Sequence, residues 1–334
     1  MKNILITGGA GFIGSNVCAC LLENGYNVTV ADDLKNAYVS HVHFLQEKFE
    51  NLKFVKADVC NLHEIENVFA SGNFDTVLHL SARKYVAESF EKKDEYFLNN
   101  MQSLENVLLL CRKYQVKHFA FASSITVYGI CDCENICEKQ KLSPVSPYAE
   151  TKMLGEEKIK DFAKQNPNML CTIFRFTNPV SASIKYMLGD HSKKHKINLV
   201  SFVCKNALEN KPLKLNGNNH NTKDGTPVRD YIHICDLAKI VCAVLEKQKS
   251  KFDTINVGCG KNGYSVLQVI ECAEKVLNKK IEYSFGEKKK GDLAKIVCDN
   301  THLINEYGNF EFKSLEQIVS DEIAFQEYLQ QKKQ

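Results

Sequence analysis

Ile4-Leu5-Ile6-Thr7-Gly8-Gly9-Ala10-Gly11-Phe12-Ile13-Gly14 decides the fold, because a short apolar run gives way to Gly8-x-x-Gly11-x-x-Gly14. Residues 2–7 are predicted as a strand, 12–24 as a helix and 26–31 as the next strand, with Gly25 at the turn. Glycines between a strand and a helix let the backbone turn tightly and approach a pyrophosphate, which then faces the free N–H groups of the helix N-terminus. Glycine also marks plain turns, so a second signal is needed. Asp32 supplies it, closing the second strand eighteen positions past Gly14. A carboxylate there accepts hydrogen bonds from ribose hydroxyls and repels a 2′-phosphate, which selects NAD over NADP. Asp33 deepens the negative field. Asp58, at the end of the third strand, has two readings: a contact to the adenine edge, or a cap for the helix starting near Asn61.

Further strands are expected at 53–57, 75–80, 117–122 and 170–176, separated by helical patterns at 61–71, 92–114 and 147–165. This alternation predicts an α/β protein with a Rossmann-type, doubly wound parallel sheet and ligands at the carboxyl ends of its strands. After about Pro179 the rhythm breaks into short helices at 199–210, 235–247 and 264–278, with a loop rich in Asn, Gly, Asp and Lys at 216–225. The division expected is an NAD-binding domain over 1–178 and a smaller α/β domain over 179–334 that mainly holds substrate.

Composition bounds the partners. With 43 Lys plus Arg against 40 Asp plus Glu, a net charge of +3 in 334 residues excludes nucleic acid or an anionic membrane as the expected partner. No apolar stretch approaches the roughly 20 residues of a membrane span. Met1-Lys2-Asn3 runs straight into a strand without a signal-like apolar region, so a cytoplasmic location is expected. In that setting the fourteen cysteines are expected to stay reduced. Cys131-x-Cys133-x3-Cys137 lacks zinc-site spacing and an interleaved His, so it is read as a surface loop and no metal is expected.

Tyr148 and Lys152 lie four apart in a helix that Ser146 caps and Pro147 begins, which puts both side chains on one face. A tyrosine with an ordinary pKa of about 10 is a poor base at neutral pH. A neighbouring ammonium and a cationic cofactor ring favour the phenolate, so Tyr148 is the expected acid/base group. Ser124, at the end of the fifth strand, can hydrogen-bond the same substrate hydroxyl.

These residues resemble the extended short-chain dehydrogenase/reductase superfamily and, within it, the UDP-glucose (UDP-galactose) 4-epimerase family. The resemblance spans almost the whole chain. It rests on the glycine fingerprint, Ala122-Ser123-Ser124-Ile125-Thr126-Val127-Tyr128-Gly129, Arg175-Phe176-Thr177-Asn178-Pro179 and Asp224-Gly225-Thr226-Pro227-Val228-Arg229-Asp230-Tyr231-Ile232-His233. It implies Tyr148, Lys152 and Ser124 as catalytic residues. Cofactor contacts are implied at Gly8, Gly11, Phe12, Ile13, Gly14, Asp32, Asn36, Asp58 and Val59. Lys84, Asn100, Phe176, Tyr148 and Lys152 complete that set. UDP-sugar contacts are implied at Ser124, Tyr148, Asn178, Asn198, Leu199, Leu215, Arg229, Lys289, Asp292 and Ile296. A guanidinium such as Arg229 can fork onto diphosphate oxygens.

The activity implied is interconversion of UDP-galactose and UDP-glucose: oxidation at sugar C4, rotation of the 4-keto sugar and return of hydride to its other face. A homodimer built on paired helices is also implied, and the stripe Leu98, Met101, Leu104 and Leu108 fits either that interface or an internal core. Nucleotide-sugar dehydratases and decarboxylases begin with the same oxidation. Dehydratases carry an acid just after the strand, where this chain has Ser124, Ile125 and Thr126, which favours epimerisation. A non-catalytic NAD-binding regulator is a third reading, opposed by the presence of Ser124, Tyr148 and Lys152.

Departures from the family pattern mark the substrate side. Lys289 stands where an Arg usually grips the diphosphate, which implies weaker UDP binding or greater reliance on Arg229. Ile296 lies between the bulky aromatic that goes with plain hexoses and the small residue that goes with N-acetylated ones, so UDP-GlcNAc and UDP-GalNAc stay open as substrates.

Overall fold

The computed structural model describes residues 2–131, 133–191, 193, 198–260, 263–288 and 293–332. Its first six strands are β1 (Asn3–Thr7), β2 (Asn27–Asp32), β3 (Leu52–Lys56), β4 (Thr76–His79), β5 (His118–Ser124) and β6 (Leu170–Phe176), within two residues of the predicted runs. Among them run α1 (Phe12–Glu23), α2 (Ser40–Gln46), α3 (Leu62–Ala70), α4 (Val86–Glu91), α5 (Lys93–Lys113) and α6 (Pro147–Gln165). The sequence pattern does not show α2 and α4, which are seven and six residues long and carry no side-chain cap.

The later strands are β7 (Asn178–Val180), β8 (Leu213–Asn216), β9 (Val228–Arg229), β10 (Tyr231–His233), β11 (Phe252–Val257), β12 (Tyr264–Ser265), β13 (Tyr283–Gly286) and β14 (Lys295–Ile296). Helices α7 (Leu199–Leu208), α8 (Ile234–Lys247), α9 (Val266–Leu277), α10 (Thr301–Tyr307) and α11 (Leu315–Gln331) complete the chain.

The main sheet has seven strands in the order β11-β6-β5-β4-β1-β2-β3, all parallel. Helices cover both faces, so β4 and β5 are buried at every residue and read in sequence as continuous runs rather than alternating ones. On one face, Val17 and Leu21 of α1 share a core with Ile240 and Val244 of α8. On the other, Val68 of α3, Leu104 and Val107 of α5 and Ile159 of α6 close over Leu5, Val77 and Phe119. The chain therefore returns to the large layer after residue 179, through α8 and the edge strand β11. A third core, with Val203, Val269 and Ile318, holds α7, α9 and α11 together beside the sheet.

Of the α5 stripe, Leu104 and Leu108 lie in the core, as the internal reading has it, whereas Leu98 is 70% exposed, as is Leu109 at 43%. The expectation that every cysteine stays reduced is corrected at one pair. Cys131 and Cys133 form a disulfide, while twelve other cysteines are free thiols. Their Cα atoms are 5.4 Å apart, within bridging reach, and both pack on the cluster of Ile125, Val127 and Tyr128.

A buried ion pair ties α6 to the sheet. Arg175 of β6 donates from Nε to Glu156 Oε1 at 3.0 Å and from Nη2 to Oε2 at 2.5 Å. Ser123 of β5 donates to the same carboxylate at 2.5 Å, and Arg175 Nη1 reaches the Tyr128 hydroxyl at 2.6 Å. Removing one partner leaves a charge buried without compensation. Glu156→Ala is therefore expected to lower the unfolding free energy by about 3–5 kcal/mol in chemical denaturation, and a loss below about 1 kcal/mol would contradict it.

Candidate active site

The strand order reverses between β1 and β4, and the crevice above that point is where the glycine fingerprint lies. Gly8 has φ +71°, and a Cβ there would stand 2.8 Å from the Ser81 backbone nitrogen, so only glycine lets the two strand ends approach. Helix α1 begins at Gly11 with no side-chain cap, whereas α3, α6, α7, α9 and α11 are each capped by Asn or Ser. Its first-turn N–H groups are thus left for a ligand, as a pyrophosphate requires. The cleft above them has a volume of about 470 Å³. Gly8, Gly11, Phe12, Ile13 and Gly14 line it, as do Asp32, Asn36, Asp58, Val59 and Lys84.

Asp32 accepts N–H bonds from Ala10 at 3.1 Å and Leu34 at 2.9 Å, which fixes its carboxylate at the cleft wall. Burial raises its pKa, with those two N–H groups opposing. Of the two readings of Asp58, the cap belongs instead to Asn61, whose side chain accepts from His63 N and Glu64 N. Asp58 turns to Lys35, which bridges Asp58 at 2.6 Å and Asp33 at 3.1 Å. Burial pushes the Asp58 carboxyl up, and the bonds from Lys35 and Cys60 bring it below the usual range. Lys35 was not legible as a cleft residue, since its partners are set by the β2–β3 register.

Two of the expected cofactor residues stand behind the cleft. Asn100 accepts from Arg83 N at 2.8 Å and donates to Thr151 Oγ1 at 3.0 Å, holding the segment that carries Lys84 against α6. The Phe176 ring is in the core, stacked on Phe174 at 5.7 Å between centroids.

Ser124, Tyr148 and Lys152 come together at the end of β5. Ser146 accepts from Ala149 N at 3.2 Å and starts α6 at Pro147, so Tyr148 and Lys152 share the inward face. Lys152, 4% exposed, donates to Ala122 O at 2.6 Å, and its Nζ lies 6.0 Å from the Tyr148 ring centroid. Ser124 lies near the Tyr148 hydroxyl and accepts from Thr126 Oγ1 at 2.9 Å. Burial pushes the Tyr148 phenol up to about 12, with Ser124 opposing. Burial also pushes Lys152 down to about 7, against the charge of Glu156. Without the cofactor's charge, desolvation is the larger influence at both residues.

The substrate-side residues gather on very short strands next to β6. Ser124 pairs with Phe176 in register, and the chain then passes through Thr177 to Asn178, which pairs with Tyr231. Arg229 lies between Tyr264 and Ile296 across β12, β9 and β14. Asn198 caps α7 by accepting from Ser201 N at 3.0 Å, with Leu199 next to it. Leu215 has its side chain in the third core, opposite Phe285. Lys289 and Asp292 lie outside the described residues. Among the described residues, no group of three or more metal-ligating side chains is present, and no helix is long and apolar enough to cross a membrane.

Residues 4–258 match the model of the NAD dependent epimerase/dehydratase family. The chain belongs to that family. Within it, the chain is 34% identical over 330 residues to the UDP-glucose 4-epimerase of Bacillus subtilis, covering 97% of this chain and 96% of that one. It is 35% identical to the UDP-glucose 4-epimerase of Caenorhabditis elegans, covering 96% of each. Its fold matches the UDP-glucose 4-epimerase of Bifidobacterium longum, solved with NAD+ and UDP, with a TM-score of 0.93, 32% identity and 98% of both chains covered. It also matches the UDP-Glc/GlcNAc 4-epimerase of Campylobacter jejuni, with a TM-score of 0.85, 27% identity, and 98% of this chain and 100% of that one covered.

The buried lysine gives this member of the epimerase/dehydratase family a pH signature. Lys152 gives up its proton near pH 7 when folded and near 10.5 when unfolded. Between those values the unfolded chain binds more protons, so stability rises with pH. Lys152→Met is expected to melt above the parent near pH 7, with the gap shrinking as pH approaches 10.5 in thermal scans. A gap that widens with pH would contradict this.

Proposed function

We propose that this protein interconverts UDP-galactose and UDP-glucose with NAD as a resident cofactor. The observation that carries the reading is the Ser124, Tyr148 and Lys152 constellation beside the cleft of Asp32 and the uncapped α1, with no carboxylate at positions 124–126. That strand end carries a Ser124–Thr126 hydroxyl pair and the buried Ile125, which suit hydrogen bonding to a sugar hydroxyl and not the acid step of an elimination.

NAD supplies a carbon that takes hydride from sugar C4 and gives it back, together with a positive charge. In that field Tyr148 accepts the proton of the 4-hydroxyl as a phenolate, and Ser124 holds the oxygen in line. Lys152, held on Ala122 O, orients the phenol and stabilises its negative charge. Tyr148 then returns the proton after the 4-keto sugar has turned over. Asn178, Asn198, Leu199, Leu215 and Arg229 hold the UDP half, with Lys289 and Asp292 completing the grip. Binding energy concentrated on UDP leaves the hexose free to present either face.

Ile296, beside Arg229, leaves more room at the sugar than an aromatic ring would, which supports UDP-GlcNAc and UDP-GalNAc as further substrates. The protein acts in the cytoplasm as a homodimer. Phe90, Leu98 and Leu109, exposed on α4 and α5, form the apolar face for a second copy.

Purified protein given UDP-galactose is expected to form UDP-glucose with no net reduced cofactor, and Tyr148→Phe to lose about 10²–10⁴-fold in rate. A lasting 4-keto product, or full activity in Tyr148→Phe, would refute the reading; the same assay with UDP-GlcNAc tests the wider range. Leu98→Glu is expected to convert the dimer to monomer by light scattering, and an unchanged mass would place the interface elsewhere.

A further inference from the structure

Between the cofactor cleft and the substrate half stands a buried carboxylate that the catalytic scheme does not use. Asp190 is 5% exposed and lines the cleft. Its Oδ2 accepts two hydrogen bonds from one residue, Asn198, from the backbone N and from Nδ2, each at 3.1 Å. Its Oδ1 is buried with no hydrogen-bond partner among the described residues and lies 3.8 Å from Lys84 Nζ. That separation is an ion pair too long for a direct hydrogen bond. One carboxylate thus faces Asn198 on the nucleotide side and Lys84 on the cofactor side.

A role confined to holding Asn198 would use one oxygen. A buried carboxylate oxygen without a donor is costly, and here it is turned towards Lys84 Nζ at the cleft wall. Glu322 of α11, fully buried behind α7, is pushed by burial up to about 7, with the hydrogen bond from Gln326 opposing. Asn198 is fixed from both sides, its Oδ1 taken by Ser201 N and its Nδ2 by Asp190. Because one carboxylate serves both ends of the bridge, ordering it at one end orders it at the other.

We propose that Asp190 is a positioning residue that couples the two sites: by bridging Asn198 and Lys84 it makes UDP binding tighten the hold on NAD, and NAD binding tighten the hold on UDP. The proposal rests on the reading of Asn198 as a UDP contact and Lys84 as a cofactor contact. Coupling of this kind is reciprocal, and a differential of about fivefold or more is ordinary for it.

The test is the rate of NAD release from the holoenzyme, followed with a scavenging dehydrogenase, with and without saturating UDP. UDP is expected to slow release at least about fivefold in the parent and less than about twofold in Asp190→Asn, which keeps the shape but loses the charge. Asp190→Glu, which restores the charge, is expected to recover part of the UDP effect; a merely structural substitution would not show that rescue. Lys84→Met and Asn198→Ala each cut one arm of the bridge and are expected to lose the UDP effect too, which keeps the test decisive if Asp190→Asn folds poorly. Equal protection by UDP in the parent and Asp190→Asn, or no protection in the parent, would overturn the coupling. If UDP protects but UDP-galactose is not converted, the functional reading falls and the coupling stands.

Discussion

The Glu156–Arg175 pair is the interaction on which the geometry of this protein depends. Glu156 lies one helical turn beyond Lys152 and two beyond Tyr148, so whatever fixes its carboxylate fixes the face of α6 that carries the chemistry. Arg175 comes from β6 and Ser123 from β5, immediately before Ser124. The same guanidinium reaches Tyr128, whose hydroxyl donates to Asn256 of β11 at 2.9 Å. Three strands and the catalytic helix are thus held by one network whose every member is buried. Such networks specify a single arrangement because a half-satisfied alternative costs more than any it could replace.

Burial also sets the electrostatics of the site. The interior that raises Tyr148 is the one that lowers Lys152, so the protein's own groups keep both in their neutral forms more than water would. In the reaction proposed above, a bound cationic ring would favour the phenolate of Tyr148.

The part of the chain beyond β6 that stands outside the main sheet follows another logic. Its sheets are two to four residues long, and a single carboxylate does much of the joining. Asp230, 1% exposed, accepts N–H bonds from Cys259 at 2.9 Å and from Gly260 and Cys298 at 3.3 Å. A Cβ on Gly258 would stand 2.5 Å from Asp230 Oδ2, so the chain passes there only as glycine. This hub places Arg229 and Ile296 side by side, although 67 positions separate them in sequence.

The sequence by itself determined the local elements and the chemistry they carry: the βαβ opening, Asp32 at a strand end, and Tyr148 with Lys152 on one capped helix. Those features are short in range, set by turn residues, caps and the helical repeat, and so they are written in neighbouring residues. Tertiary structure decided what depends on register and burial between distant segments. It returned β11 to the main sheet, turned Leu104 and Leu108 inward, gave the α3 cap to Asn61 and Asp58 to Lys35, and paired Cys131 with Cys133. It alone placed Asp190 between Lys84 and Asn198, and it alone set the burial that raises Tyr148 and lowers Lys152. Desolvation is a property of the packed interior, and no spacing along a chain records how completely water will be excluded from a side chain.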